Sequence, residues 1–384
     1  MGRASRFRLH LDESTGAAIA ALNFYVLEQR SSMEKRPSLL ILTNSYDLST
    51  NRIIREIGTD RVFRFNFDIW HEYRVEIGPG DFEIANPTGA SITRHQISKA
   101  YWRKPISRFY LQGHVERHRG SSIKGFLGRF LRRDEYPPRM TPQERYLEAE
   151  MDYVVREISS LLWRDRKLVL VEPASHSRLG KLMQMEIALG FFPVPEYRFH
   201  FNPRGAAAPV RQRVAKSLSS ERLGPNSFLW TTAVDESQLD ARLPWFVQDV
   251  VDAERDVTVV HIRGRNLAFS LDREVFIGKS VDWREEGELT THRWQPHSIP
   301  EALDHKITAY MRAIGLDFGR LDFLLKKETY WFLEVNSNGE WGWLDPNGSR
   351  GVLEALVAEL HPDTPVHPVP VRWASAPEGA TRVA

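Results

Sequence analysis

The chain has no cysteine, which excludes disulfides, thiol nucleophiles and cysteine-ligated zinc and is compatible with a cytoplasmic, reducing setting. No apolar run approaches the roughly 20 residues needed to span a bilayer, so no membrane partner is expected. Neither charge sign dominates. Fifty-two lysines and arginines face 50 aspartates and glutamates, a formal net charge of +2, so no global field marks nucleic acid as a partner. A glycine-rich dinucleotide loop is absent, as are internal repeats and low-complexity tracts. No Ser-His-Asp arrangement or covalent nucleophile stands out.

What is present fills two or three domains, as 384 residues allow. Residues 1–32 are not a signal peptide, because Asn23 breaks their apolar part and no small-residue cleavage site follows. They read as an appended extension ahead of Met33, either a translation-start artefact or a short docking helix. Residues 33–140 form a small N-terminal α/β domain. Its SLLILT run at 38–43 is a buried parallel strand, a helix capped by Ser49-Thr50 covers 51–57 before Gly58, and strands follow at 62–66, 82–84, 91–94 and 99–104. The insertion 106–140 is basic and aromatic. It suits nucleic acid, an acidic peptide or another protein, or is a solvated loop. His114 and His118 are spaced i,i+4 but lack a third ligand.

Residues 141–205 begin with a helix over 141–163, opened by a Thr141-x-x-Glu144 capping pattern and striped by Leu147, Met151, Val154, Ile158 and Leu162. A short strand at 167–172 leads to a second helix, capped by Ser175 or Ser177, whose row Leu179, Met183, Ile187 faces inward. Residues 206–251 hold a strand at 210–218, a small-polar loop (SLSSERLGPNS) suited to folding over a ligand, and strands at 228–232 and 246–251. Residues 252–384 pair strands 256–262 and 266–271 around Arg263-Gly264-Arg265, then run through an amphipathic helix at 299–314 into a hairpin of strands 321–325 and 329–335.

That hairpin carries the most legible chemistry. Side chains alternate along a strand, so Glu334 and Asn336 share a face, with Asp322 across from them. Two carboxylates and an amide oxygen suit a hard cation such as Mg²⁺. Arg320, two residues before Asp322, lies on the same face.

Taken in order, the elements from 165 onward resemble the ATP-grasp fold, two α+β lobes clasping ATP, here preceded by a small α/β pre-ATP-grasp domain. From Met33 onward the chain more narrowly resembles the microviridin-type (graspetide) peptide-cyclising ligases. LILTNSYD, AYWRKP, LPWFVQDVV, the DWR at 282–284 and above all FLEVNSNGEWGWLD carry the likeness. The resemblance implies that Lys181 and Lys216 bind the phosphates of ATP. It also implies that Gln248, Asp249 and Val251 line adenine, that Asp256 accepts the ribose hydroxyls, and that Asp322, Glu334 and Asn336 hold Mg²⁺, two ions in all. The family receives its peptide near 276–293, which makes Arg284 and Arg293 candidates for acidic side chains.

The chain departs from the pattern at Asp256-Val257-Thr258, where those ligases carry Asp-x-Arg with the arginine aimed at the transferred phosphate. The D-alanine–D-alanine ligase branch instead pairs Glu-x-Thr with a later Arg-x-Asp, so Arg320 is expected to take over the anion-stabilising role, with Lys216 beside it. Ser337 in place of the usual proline affects only the following turn. The implied reaction activates a carboxylate as an acylphosphate and joins it to an amine or hydroxyl. The expected substrate is a precursor peptide with a leader and an acidic core, and a homodimer is compatible. An ATP-grasp ligase acting on free amino acids or on a protein is the alternative, and a non-catalytic nucleotide- or peptide-binding module is a third reading. The two tryptophans, Trp341 and Trp343, either wall off water or pack as core.

Overall fold

The computed structural model describes residues 37–103, 141–173, 179–201, 213–218, 231–235, 239, 243–276 and 292–366. Strands β1 (Leu39–Thr43), β2 (Val62–Asn66), β6 (Lys99–Trp102) and β7 (Leu168–Leu170) form a parallel sheet in the order β2-β1-β6-β7. Every residue of β1 is buried, as expected for a strand covered on both faces. Helix α1 (Leu48–Ile57) is capped by Asp47, whose carboxylate accepts from the Ser49 and Thr50 amides, so the cap lies two residues before the expected Ser49-Thr50. A hairpin sheet of β3 (Arg74–Gly78), β4 (Asp81–Ala85) and β5 (Ser91–Thr93) sits beside this layer.

Helix α2 (Pro142–Arg164) and β7, which the sequence pattern groups with 141–205, pack on and pair with this first sheet. The inward residues of α2 are Val155, Ile158, Ser159 and Leu162, with Met151 and Val154 half-buried. Leu147, expected on that stripe, is exposed, because only the C-terminal half of this 23-residue helix buries side chains. Helix α3 (Lys181–Ala188) starts at Gly180 and turns Gln184, Met185 and Ala188 inward. Met183 is exposed rather than buried, while Leu179 and Ile187 do pack on the core.

A four-stranded antiparallel sheet, β10-β9-β11-β8, joins β8 (Tyr197–His200), β9 (Arg213–Lys216), β10 (Thr232–Val234) and β11 (Trp245–Asp249). It therefore begins within the expected 141–205 segment. The third major sheet is antiparallel, β14-β13-β12-β15-β16. It comprises β12 (Arg255–Ile262), β13 (Arg265–Asp272), β14 (Gln295–His297), β15 (Phe318–Lys326) and β16 (Thr329–Asn336). Arg263 and Gly264 make the β12–β13 turn with positive φ of 46° and 97°. Helices α4 (Glu301–Ala313) and α5 (Val352–Leu360) complete the chain's described elements.

Period two divides the third sheet between two cores. Val257, Val259, Leu321, Phe323 and Leu325 face α3 and α4, where Phe192 packs against Phe323, Phe332 and Tyr310. On the other face Val260, Ile262 and Phe318 join the core of the first sheet together with α5. Further along that second face lie Asp256, Thr258, Arg320 and Asp322. The register of β15 and β16 shifts between Asp322, paired with Glu334, and Phe323, paired with Phe332, so Leu333 is an extra, bulged residue. Without the bulge, Phe332 and Glu334 would share a face. With it, the phenyl ring enters the core and the carboxylate faces the site.

The expected extension 1–32, the insertion 106–140 with His114 and His118, the caps Ser175 and Ser177, the small-polar loop beyond Leu218 and Arg284 lie outside the described residues. Among the described residues no helix is long and apolar enough to cross a membrane.

Candidate active site

Asp322 sits in the middle of β15, not at its start, since the strand begins four residues earlier at Phe318. Its Oδ1 accepts a 2.7 Å hydrogen bond from the Thr258 hydroxyl, and its Oδ2 lies 3.3 Å from an Arg320 Nη. Glu334 is its cross-strand partner and Asn336 pairs with Arg320. Asn336 offers its amide oxygen to the Asn338 backbone N–H at 3.2 Å. The three oxygen ligands expected from the sequence therefore line one edge of the sheet.

Lys181 reaches this edge from the first residue of α3. Its Nζ lies 3.2 Å from Glu334 Oε2 and donates to the Ser217 carbonyl at 2.8 Å, tying the third sheet to the strand end of the second. Gln184 fixes the helix that delivers it. The Gln184 side chain accepts from the Val335 amide, and its backbone carbonyl accepts from the Tyr310 hydroxyl. Residues three apart share a helix face, so anchoring Gln184 on β16 also aims Lys181 at Glu334.

Lys216 ends β9 and donates to Gln248 Oε1 at 2.9 Å across β11. Gln248 is buried, and its Nε2 makes no hydrogen bond among the described residues. Asp249 lies 3.4 Å from the buried Arg213 guanidinium, and Val251 is half-buried in the connection to β12. Asp256, expected to meet a ribose, is itself nearly buried and ion-paired with Arg273 at 3.2 Å. The Arg273 guanidinium in turn covers the Phe276 ring. Arg293 is exposed.

Arg320 is held from more than one side. It is 8% exposed, donates to the Glu340 carbonyl at 3.2 Å, and has its guanidinium carbon 5.7 Å from the centre of the Trp343 ring, within cation–π range. A Cβ on Gly339 would fall 2.5 Å from Arg320 Cβ, so only glycine lets the loop approach this closely. The tryptophans divide their roles. Trp341 is fully buried core, whereas Trp343 stands between Arg320 and Trp294.

Sequence patterns assigned no role to Arg103 or Glu340, although both lie in segments that carried the resemblance. Arg103 donates to Glu340 Oε2 at 2.5 Å and to Asn338 Oδ1 at 3.1 Å, and its Nε lies 3.5 Å from Asp47. Burial works against its charge, but Tyr101, Glu340 and Asp47 together raise its pKa. The pair is 237 residues apart in the chain, beyond any local pattern.

The donor set suits a hard divalent cation: two carboxylates directly opposed across a strand pair, an amide oxygen beside them, and Thr258 and Arg320 orienting one carboxylate.

The sheets and their order define the ATP-grasp fold. Among solved structures, the chain is similar to a RiPP-associated ATP-grasp ligase of Chryseobacterium gregarium in complex with ADP and a leader and core peptide, at 18% identity, covering 86% of this chain and 98% of that one, with a TM-score of 0.65. It is also similar to the macrocyclase MdnC of Microcystis aeruginosa MRC bound with the precursor peptide MdnA (19% identity, 84% and 99% covered, TM-score 0.64). A third is the ATP-grasp ligase PsnB complexed with a minimal precursor, Mg and ADP (14% identity, 85% and 100% covered, TM-score 0.58). No family model and no curated protein sequence matches the chain.

Proposed function

We propose that this chain is an ATP-dependent ligase that activates a side-chain carboxylate of a precursor peptide and joins it to an amine or hydroxyl of the same peptide. The observation that carries the reading is the convergence of Arg320, Asp322, Thr258 and Glu334 on one sheet face, with Lys181 reaching Glu334 from the sheet edge, within a fold built to hold ATP. Three solved relatives hold a precursor peptide, with ADP in two of them, which supports a peptide substrate.

In the first step a carboxylate oxygen attacks the γ-phosphorus, the bond to the β-phosphate oxygen breaks, and ADP leaves. In the second, the amine or hydroxyl attacks the acylphosphate carbon, inorganic phosphate departs with the bonding pair, and the nucleophile's proton passes to solvent. Arg320, immobilised by the Glu340 carbonyl and Trp343, meets the charge that develops on the transferred phosphoryl group. Preorganised cations of this kind need no rearrangement during reaction. Lys216 and Lys181 bind the remaining phosphates as point charges, Lys181 by leaving Glu334. Gln248, Asp249 and Val251 line adenine, and Asp256 reaches the ribose only by sharing its carboxylate with Arg273. Asp322, Glu334 and Asn336 would hold Mg²⁺, two ions with ATP, which supplies Lewis-acid neutralisation of the phosphates. Arg284 and Arg293 receive an acidic core, the leader docks separately, and a cytoplasmic homodimer is the setting.

The test is incubation with ATP, Mg²⁺ and acidic peptides rich in Lys, Ser and Thr. ADP release that depends on peptide, with loss of one water per bond formed, supports the reading. ADP release with pooled free amino acids instead would move the enzyme to the amino-acid ligases, and nucleotide binding without turnover would leave a binding module.

A further inference from the structure

The N-terminal domain reaches into the reaction site through one buried guanidinium. Arg103 follows β6 at the carboxyl edge of the first sheet and is 1% exposed. Among the described residues its partners beyond the N-terminal domain lie in the loop after β16: Asn338 through both carbonyl and side chain, the Gly339 carbonyl, and the Glu340 carboxylate. Two neighbours on α1 reinforce the grip. Ser49 donates to Glu340 Oε1 at 3.0 Å, and Arg52 donates to the Asp345 carbonyl at 2.8 Å. Gly342 passes so close to the Ser49 hydroxyl that a Cβ there would collide with it. The same loop supplies both contacts that immobilise Arg320, the Glu340 carbonyl and the Trp343 ring.

We infer that Arg103 is a positioning residue for the ligation reaction, fixing the 338–345 loop and through it the pose of the Arg320 guanidinium. The role rests on the ligase reading above. Glu340 then works from both ends, its carboxylate held by the first domain and its carbonyl holding Arg320. A bidentate guanidinium is required because Arg103 must satisfy a carboxylate and a backbone turn at once, which a lysine ammonium does not match. Displacing a catalytic group by about 1 Å costs on the order of a hundredfold in rate. The loss should appear in kcat, since the nucleotide contacts proposed for Lys216 and for the hinge after β11 (Gln248, Asp249 and Val251) are untouched.

The experiment compares full-length wild type, Arg103→Met, Arg103→Lys and Glu340→Gln for peptide-dependent ADP release. The same variants are assayed for binding of a non-hydrolysable ATP analogue and for thermal unfolding. Arg103→Met and Arg103→Lys should lower kcat by about a hundredfold with KM for ATP and analogue affinity within a factor of about two. Glu340→Gln, which keeps the carbonyl, should lose less than Arg103→Met. The decisive arm places Arg103→Met in an Arg320→Lys background. A residue acting through Arg320 adds little further loss there, whereas a purely structural residue adds its full effect. A full additional loss in that background, or near-wild-type kcat in Arg103→Met, overturns the positioning role and leaves the ligase reading standing. Wild type that releases no ADP with any acidic peptide removes the ligase reading and this role with it.

Discussion

Thr258 lies directly opposite Asp322 in the β12–β15 pair and donates its hydroxyl to the carboxylate at 2.7 Å. Where relatives by resemblance carry an arginine, this chain has a short hydroxyl that fixes one oxygen of Asp322 while Arg320 faces the other. Threonine at this position thus orients the Asp322 carboxylate, and the positive charge comes from the neighbouring strand.

Thr258→Val tests that orientation with almost no change of shape. Removing a hydrogen-bond partner of a metal-ligating carboxylate typically costs 10–100-fold in metal affinity or activity. The expected result is a Mg²⁺ requirement for ADP release shifted upward by about tenfold or more. An unchanged Mg²⁺ titration would reduce Thr258 to filling space.

Arg320→Ala should abolish turnover, a loss of about a thousandfold or more by comparison with cations that stabilise phosphoryl transfer. ATP-analogue affinity should stay largely intact, because Lys216 and the hinge remain. Single-turnover rates and equilibrium binding separate the two quantities, and a variant with near-normal rate would show that the anion-stabilising charge lies elsewhere.

Lys181→Met removes the side chain by which α3 holds both Ser217 and Glu334. Nucleotide affinity should fall by about tenfold, the worth of one charge-assisted hydrogen bond of ~1.4 kcal/mol. Calorimetric titration with ADP measures it. Unchanged affinity would confine Lys181 to joining the sheets.

His261 provides a pH prediction for stability. Burial pushes its pKa down from 6.5 to about 4. The neutral ring donates from Nδ1 to Asn266 and accepts the Gly264 amide at Nε2. The folded pKa lies below the unfolded one, so unfolding takes up a proton in between. The stabilisation is complete above about pH 6.5 and is lost as pH falls towards 4, to a total of roughly 3 kcal/mol. Urea unfolding between pH 7 and pH 5 should therefore slope more steeply for wild type than for His261→Gln. Parallel slopes would show that the ring takes up no extra proton on unfolding, so that burial does not lower its pKa.

Much of this architecture was readable before any coordinates. The SLLILT run could be little else than a covered strand, and alternation placed Glu334, Asn336, Asp322 and Arg320 on one face, as the β15–β16 register has them. Other elements left no such mark. Strand β3 is mostly exposed, so its residues bear no burial pattern. The apolar rows through Leu147 and Met183 have helical spacing, but spacing alone does not say where a helix overhangs its neighbour. The ion pair of Asp256 with Arg273 depends on how β13 folds back across β12, and Arg103 meets Glu340 only once two domains have docked.

The bulge at Leu333 gives β16 two independent phases. Residues on the turn side answer to the aromatic core, and Glu334 with Asn336 answer to the reacting groups. A one-residue slip normally inverts every side chain of a strand, but here the offset sits at a single position between the two segments. Deleting Leu333 would therefore yield a regular strand with the phenyl ring of Phe332 still inside and the carboxylate of Glu334 still outside. The hairpin can tolerate a changed length at that point while Glu334 and Asn336 keep their face.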